Sequence, residues 1–213
     1  DLDGGGFAAY STTTATALTA TGLLTSTTYT LRVRAFNADG ADTAFSGTAS
    51  TVTAVALPGA PGTPVPTVLS TGGVSWSWAP AANAASYQLV LASNTAQVLA
   101  SPAGTSAVLT GFDPNSVSSV AVRAVNATGT GPASPPAAVF TFASAPTGLA
   151  AAGVTSLWAR ISWSGGTNPA GTLYNVEKST DDVLFAAHST YSVAAATVTG
   201  LSASTTYYFR VAA

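Results

Sequence analysis

Cysteine is absent from the 213 residues, so neither a disulfide framework nor a thiolate zinc site is available. Charge is scarce: six Lys and Arg and eight Asp and Glu make 7% of the chain, against about 25% in an ordinary soluble domain. The six cations, Arg32, Arg34, Arg123, Arg160, Lys178 and Arg210, are scattered. With a pI ≈ 4.9 and no basic cluster to neutralise phosphates, nucleic acid is excluded as a partner. No apolar run approaches the roughly 18 residues of a membrane span. There is no initiator Met and no signal-peptide pattern, and the chain opens at Asp1 in the middle of a repeat. That predicts a mature, processed or incomplete segment.

Chemistry-bearing residues are as sparse as charge. His188 is the only histidine, so any Ser/His/Asp nucleophilic machinery would have to use it. Glu177 is the only glutamate and stands beside Lys178, which leaves a paired-carboxylate glycosidase site without glutamate candidates. No cofactor and no metal is expected. Apolar residues nevertheless make up 47% of the chain, and the net charge is only −2. Disordered chains combine the opposite properties, so this chain is expected to fold. Its surface must consist largely of Thr, Ser, Ala, Gly and Asn. Such a surface repels copies of itself only weakly, and copies of this chain are therefore an expected partner.

What the sequence does contain is a repeat. Val33, Val122 and Val211 recur at an interval of 89 residues, each eleven residues after a Gly that opens a Gly-apolar pair. Residues 1–35 and 179–213 align without a gap and share 18 of 35 positions. Thr21-Gly22-Leu23 returns as Thr199-Gly200-Leu201, and Ser26-Thr27-Thr28-Tyr29 as Ser204-Thr205-Thr206-Tyr207; the middle copy keeps the spacing with Thr110-Gly111-Phe112. A period of this length marks an array of one small structural unit.

The unit reads as β. Tyr29, Leu31, Val33 and Ala35 share one face of a strand by period-2 alternation, as do Val120, Val122 and Ala124, and Tyr207, Phe209, Val211 and Ala213. Val74, Trp76 and Trp78 alternate with Ser75 and Ser77, and Ala159, Ile161 and Trp163 repeat the pattern. Gly, Pro, Asn and Ser clusters separate the strands by roughly 8–12 residues, as in an all-β sandwich. Pro-rich joints at 57–64 and 144–148 are too short to act as flexible tethers and predict a semi-rigid rod.

These residues resemble the fibronectin type III family. The resemblance rests on a Pro near the start of the unit (Pro61, Pro146), a Trp seventeen residues later (Trp78, Trp163) and a Tyr in the next strand (Tyr87, Tyr174). It also rests on the six-residue step from Leu23 to Tyr29 and from Leu201 to Tyr207. It implies tandem immunoglobulin-like β-sandwiches of Greek-key topology with about seven strands in a complete unit. Residues 1–57 are expected to be the C-terminal part of one module, holding strands C′, E, F and G. Residues 58–143 are expected to be a complete module, and 144–213 the N-terminal part of a third that lacks its last strand. Half a sandwich exposes core side chains, each forgoing roughly 1.5–3 kcal/mol of burial. Either the 213 residues are a window on a longer array, or terminal pieces of neighbouring subunits complete each other. Joining the pieces would supply strands E and F twice, which favours the window. The middle copy has Ser118 where the outer copies have Tyr29 and Tyr207. Such a tyrosine braces the corner before strand F in similar sandwiches, so a locally different turn is expected around Phe112–Ser118.

The repeat also tests candidate sites. His188 stands where the first copy has Tyr10, which favours a structural or surface role. Asp1-Leu2-Asp3-Gly4 faintly resembles the start of a calcium loop, but its counterpart Ser179-Thr180-Asp181-Asp182 keeps one carboxylate in register, and neither has a downstream Glu. A turn is the better reading. Asp39, Asp42 and Asp113 read as solvated turn residues. Trp158 is out of phase with Ala159, Ile161 and Trp163, which makes it the candidate exposed aromatic for packing on a sugar ring or a neighbouring subunit. Carbohydrate is thus a further candidate partner. Asn126-Ala127-Thr128 matches an N-glycosylation acceptor, a short pattern that also arises by chance. There is no Arg-Gly-Asp motif.

The absence of disulfides fits a bacterial surface protein better than a small secreted animal domain. The expectation is a non-catalytic structural or adhesive segment of a bacterial extracellular protein, a repeat array in a surface fibre or filament. Spacer modules of a secreted polysaccharide-degrading enzyme, or a phage tail decoration module, are the alternatives.

Overall fold

The computed structural model describes residues 6–213. Among them there is no helix, and sixteen strands form the secondary structure. The chain folds as tandem immunoglobulin-like β-sandwiches.

The middle sandwich has two sheets. One sheet holds β3 (Val65–Val68), β4 (Gly73–Ser77) and β7 (Ser106–Thr110), with β4 in the centre. The other has the order β10 (Ala137–Phe140), β8 (Val117–Asn126), β5 (Ser86–Leu91) and β6 (Asn94–Ala100), with β9 (Gly129–Ala133) also paired to β8. The alternating residues of β4 and β8 point into the space between the sheets, because successive side chains of a strand face opposite ways. Val74, Trp76, Leu89, Val120 and Val122 are completely buried there. Trp78 meets Tyr87 edge to face at 5.6 Å, the arrangement that ring quadrupoles favour.

The following sandwich repeats this plan. It has one sheet of β11 (Thr147–Ala152), β12 (Trp158–Ser164) and β15 (Ala195–Thr199), and another of β14 (Ala186–Tyr191), β13 (Tyr174–Ser179) and β16 (Tyr208–Ala212). Ile161, Trp163, Tyr174, Val176 and Val198 form its core, and Trp163 meets Tyr174 at the same 5.6 Å. β16 pairs only with β13 among the described residues. The corresponding β8 of the middle sandwich is flanked on both sides.

The N-terminal region departs from expectation. Only β1 (Thr28–Leu31) and β2 (Ala49–Val52), the equivalents of strands F and G, form a ladder; strands C′ and E do not form among the described residues. The reason lies in the third copy. There C′ is β14, hydrogen-bonded to β13, and E is β15, hydrogen-bonded to β12. Among the described residues the first copy has no equivalent of β12 or β13, and a strand with no neighbour leaves its backbone polar groups to water. Leu31 and Val33, expected to face a core, are consequently 50% and 69% exposed.

Candidate functional site

The corner before strand F shows how the copies stay alike despite sequence drift. Gly22, Gly111 and Gly200 all have positive φ, at 72°, 87° and 67°, a conformation open to glycine at no steric cost. Four residues on, Ser26, Asn115 and Ser204 also have positive φ, at 52°, 48° and 54°. The turn around Phe112–Ser118 therefore follows the same backbone course as its neighbours, and the expectation of a different turn is corrected.

Its bracing explains why. In the outer copies the tyrosine hydroxyl accepts a hydrogen bond from a backbone amide five residues earlier, Leu24 to Tyr29 at 2.9 Å and Ser202 to Tyr207 at 3.1 Å. Ser118 cannot reach that far. In the middle copy the buried Thr141 hydroxyl accepts from the Ser116 amide and donates to the Asp113 carbonyl at 2.7 Å. Thr53 makes the equivalent bonds to Thr27 and Leu24 in the first copy. A second hydroxyl, Ser46 or Ser134, accepts from the amide of Val33 or Val122, each at 3.0 Å. These pegs were missed in the sequence because they recur at 88 residues, one out of step with the period of the strand they hold.

Of the candidate chemical residues, Glu177 and Lys178 lie on β13 and His188 on the paired β14. His188 lies half-buried on β14, opposite the register shift between Val176 and Glu177, and makes no hydrogen bond or ion pair among the described residues. Glu177 accepts a hydrogen bond from Arg210 Nε at 2.5 Å, while Lys178 donates to the carbonyls of Thr199 and Gly200. Asp42 pairs with Arg34. Among the described residues no three His, Cys, Asp or Glu side chains come together as metal ligands.

Asp1 and Asp3 lie outside the described residues. Their counterpart forms a turn: the Asp181 carboxylate accepts from the Ser179 hydroxyl at 2.7 Å and from the amides of Val183 and Leu184, both at 2.9 Å. These bonds, led by the Ser179 hydroxyl, favour the charged form and hold its pKa at about 2. Tyr207 is likewise drawn below its ordinary value, first by the Ser202 side chain and then by the Ser202 amide.

Trp158 sits at the start of β12 on the side away from Ile161 and Trp163, and is 38% exposed. Its ring lies over Gly153, where a Cβ would stand 3.5 Å away. A cleft of about 150 Å³ nearby is lined by Val154, Ala159, Leu201, Tyr207 and Phe209 among others, and no acidic or basic side chain reaches it.

Polar contacts between non-adjacent segments also gather at the two joints. At the first, Asn126 Nδ2 donates to the carbonyls of Ala56 at 2.7 Å and Asn83 at 3.0 Å. Beside it the Thr128 hydroxyl donates to the Val55 carbonyl at 2.6 Å. The linker is also held by its own amides, Gly59 to Ala82 and Gly62 to Ala79, each at 3.1 Å. A Cβ on Gly131 would stand 2.3 Å from the Pro58 carbonyl oxygen, so only glycine permits this approach. At the second joint the Ser144 amide donates to Asn168 Oδ1 at 2.7 Å, and Asn168 Nδ2 donates back to the Ser144 carbonyl at 2.8 Å. Asn115, from the corner of the middle sandwich, reaches the Thr172 hydroxyl of the next at 2.9 Å.

Residues 144–213 match the model of the fibronectin type III domain family. No curated protein matches the chain. Among solved structures it is similar to a two fibronectin type III domain segment of chicken tenascin, at 19% identity and a TM-score of 0.44, covering 71% of this chain and 89% of that one. It is also similar to the FN1–FN3 domains of chicken CNTN1, at 17% identity and a TM-score of 0.36, covering 89% of this chain and 72% of that one.

Proposed function

We propose that this chain is a non-catalytic structural or adhesive segment of a bacterial extracellular protein, working as part of a repeat array in a surface fibre or filament. Its modules are 1–57, 58–143 and 144–213, the outer two being partial and the middle one complete. Fibronectin type III domains are typically structural or adhesive modules, and the match over 144–213 supports that general role. The observation that carries the reading is the pair of joints. Each is closed by asparagine side chains bonded to backbone or hydroxyl groups of the neighbouring segment, so the spacing and direction of successive modules are built into the chain. Load or reach can then be transmitted along it.

The surface supports contact between copies. With 7% charged residues, two Thr, Ser and Ala-rich faces approach with little repulsion and little desolvation of ions. Trp158, an aromatic side chain 38% exposed at the start of β12, is the candidate for an apolar contact with a neighbouring subunit or a sugar ring. Negative-stain electron microscopy of the purified chain at high concentration tests the filament reading: ordered fibres or end-to-end strings are expected. Dispersed single particles at every concentration would defeat it.

A further inference from the structure

Asn126 ends β8 and opens the turn to β9, where a side chain would ordinarily serve only its own turn. Its oxygen does so, accepting from the amides of Thr128 at 2.9 Å and Gly129 at 3.2 Å. Its nitrogen does something else. Both of its hydrogens leave the turn, one for the Asn83 carbonyl in the loop between β4 and β5 and one for the Ala56 carbonyl in the segment that follows β2. Two donors and one acceptor oxygen are thus all engaged, which is close to the full capacity of an amide side chain. The Thr128 hydroxyl takes the adjacent carbonyl, Val55.

We propose that Asn126 and Thr128 lock the first joint, fixing segment 55–56 to the end of the middle sandwich so that the β1–β2 hairpin and that sandwich move as one body. The lock has a further consequence for the Asn126-Ala127-Thr128 pattern. The amide nitrogen and the hydroxyl that an N-glycosylation acceptor must present are the two groups bonded to Ala56 and Val55. A substituent on that nitrogen takes the place of one of its two hydrogens and breaks the bond to Ala56 or to Asn83, so the intact lock and modification at Asn126 exclude each other. The lock concerns the joint alone and stands apart from assembly into filaments.

The test is residue-resolved amide exchange and 15N relaxation on the full chain, comparing wild type with N126D, T128V and the double variant. Asn126→Asp keeps the oxygen that serves the turn and replaces both donors with a group that repels the two carbonyls. Thr128→Val removes one hydroxyl at constant shape. Exchange at the Gly59 amide, which donates to Ala82, is expected to rise by about tenfold or more in the double variant, the scale of losing hydrogen bonds of ordinary strength. The amides of β1 and β2 should then tumble independently of those of β5 and β8. Unchanged exchange at Gly59 with unchanged tumbling of β1 and β2 would overturn the proposal. So would an equal rise at Leu89 and Val122, since Asn126 would then brace the sandwich and not the joint. Gly131→Ala, which drives a methyl into the Pro58 carbonyl, should reproduce the loosening without touching either side chain.

Discussion

Residues 7–23 and 185–201 are copies of one sequence, yet they differ in structure. Phe185-Ala186-Ala187-His188-Ser189-Thr190 runs largely through β14, while Phe7-Ala8-Ala9-Tyr10-Ser11-Thr12 forms no strand. Ala195–Thr199 is β15, with Val198 completely buried; its counterpart, residues 17–21, is irregular and largely exposed. The same residues become strands only where β12 and β13 stand beside them. Strand propensity in such segments describes how well they fit a pleated, half-buried surface, and that surface must be supplied by other strands.

Removing the partner should therefore turn the third copy into the first. Ile161→Ala, at a buried site between the sheets, is expected to cost about 2–5 kcal/mol and to open β15 before β13. Urea unfolding followed by amide exchange at Val198 measures it; protection surviving at Val198 in the variant would contradict the account.

A milder contrast uses one repeat position. Val122 is fully buried, Val211 partly so, and Val33 is 69% exposed. Replacing each by Ala should cost about 2 kcal/mol at Val122 from two lost methyl groups, less at Val211, and under about 0.5 kcal/mol at Val33. Equal shifts in the urea midpoint for the three variants would show that burial does not separate the copies.

The corner offers a smaller contrast. Thr141→Val removes a buried hydroxyl that both accepts and donates and should cost about 1–2 kcal/mol. Thr53→Val, at the more exposed equivalent, should cost less. Tyr29→Phe leaves the Leu24 amide without its partner and should speed exchange there. No such effect is available at Ser118.

The smallest effect is electrostatic. The folded Asp181 has a pKa of about 2 against 3.8 for the free side chain. A depressed carboxylate stabilises the fold above the higher value, and that contribution fades as pH falls from about 3.8 through about 2. Amide shifts of Val183 and Leu184 in the folded chain should titrate with a midpoint near pH 2, at a pKa of about 2, and Asp181→Asn should abolish the titration. The same shifts moving near pH 4 would mean that the turn holds no charge preference.

Much of the fold was legible from alternation and from the repeat. Val74, Trp76 and Trp78 alternate with serines, and all three tryptophan and valine side chains are buried. Reading across copies also demoted His188, because Tyr10 stands in its place in the first copy. The corner was harder to read. Losing Tyr at 118 suggested a new turn, whereas a threonine 23 residues later, just past the end of a neighbouring strand, already held the old one. Asn126 was visible only as a glycosylation pattern, since its partners Ala56 and Asn83 are 70 and 43 residues away and are backbone carbonyls, which carry no residue signature.

The sequence by itself determined where strands can form, which of their faces is apolar, and where the backbone must turn at Gly22, Gly111 and Gly200. These are local matters, set by side-chain alternation and by the conformations a residue tolerates. Only the tertiary structure decided which candidate strands exist, since a strand needs hydrogen-bonding neighbours, and which copy buries its apolar face. It also decided that the joints close through asparagine amides, because such bonds depend on distances between segments that no local pattern encodes.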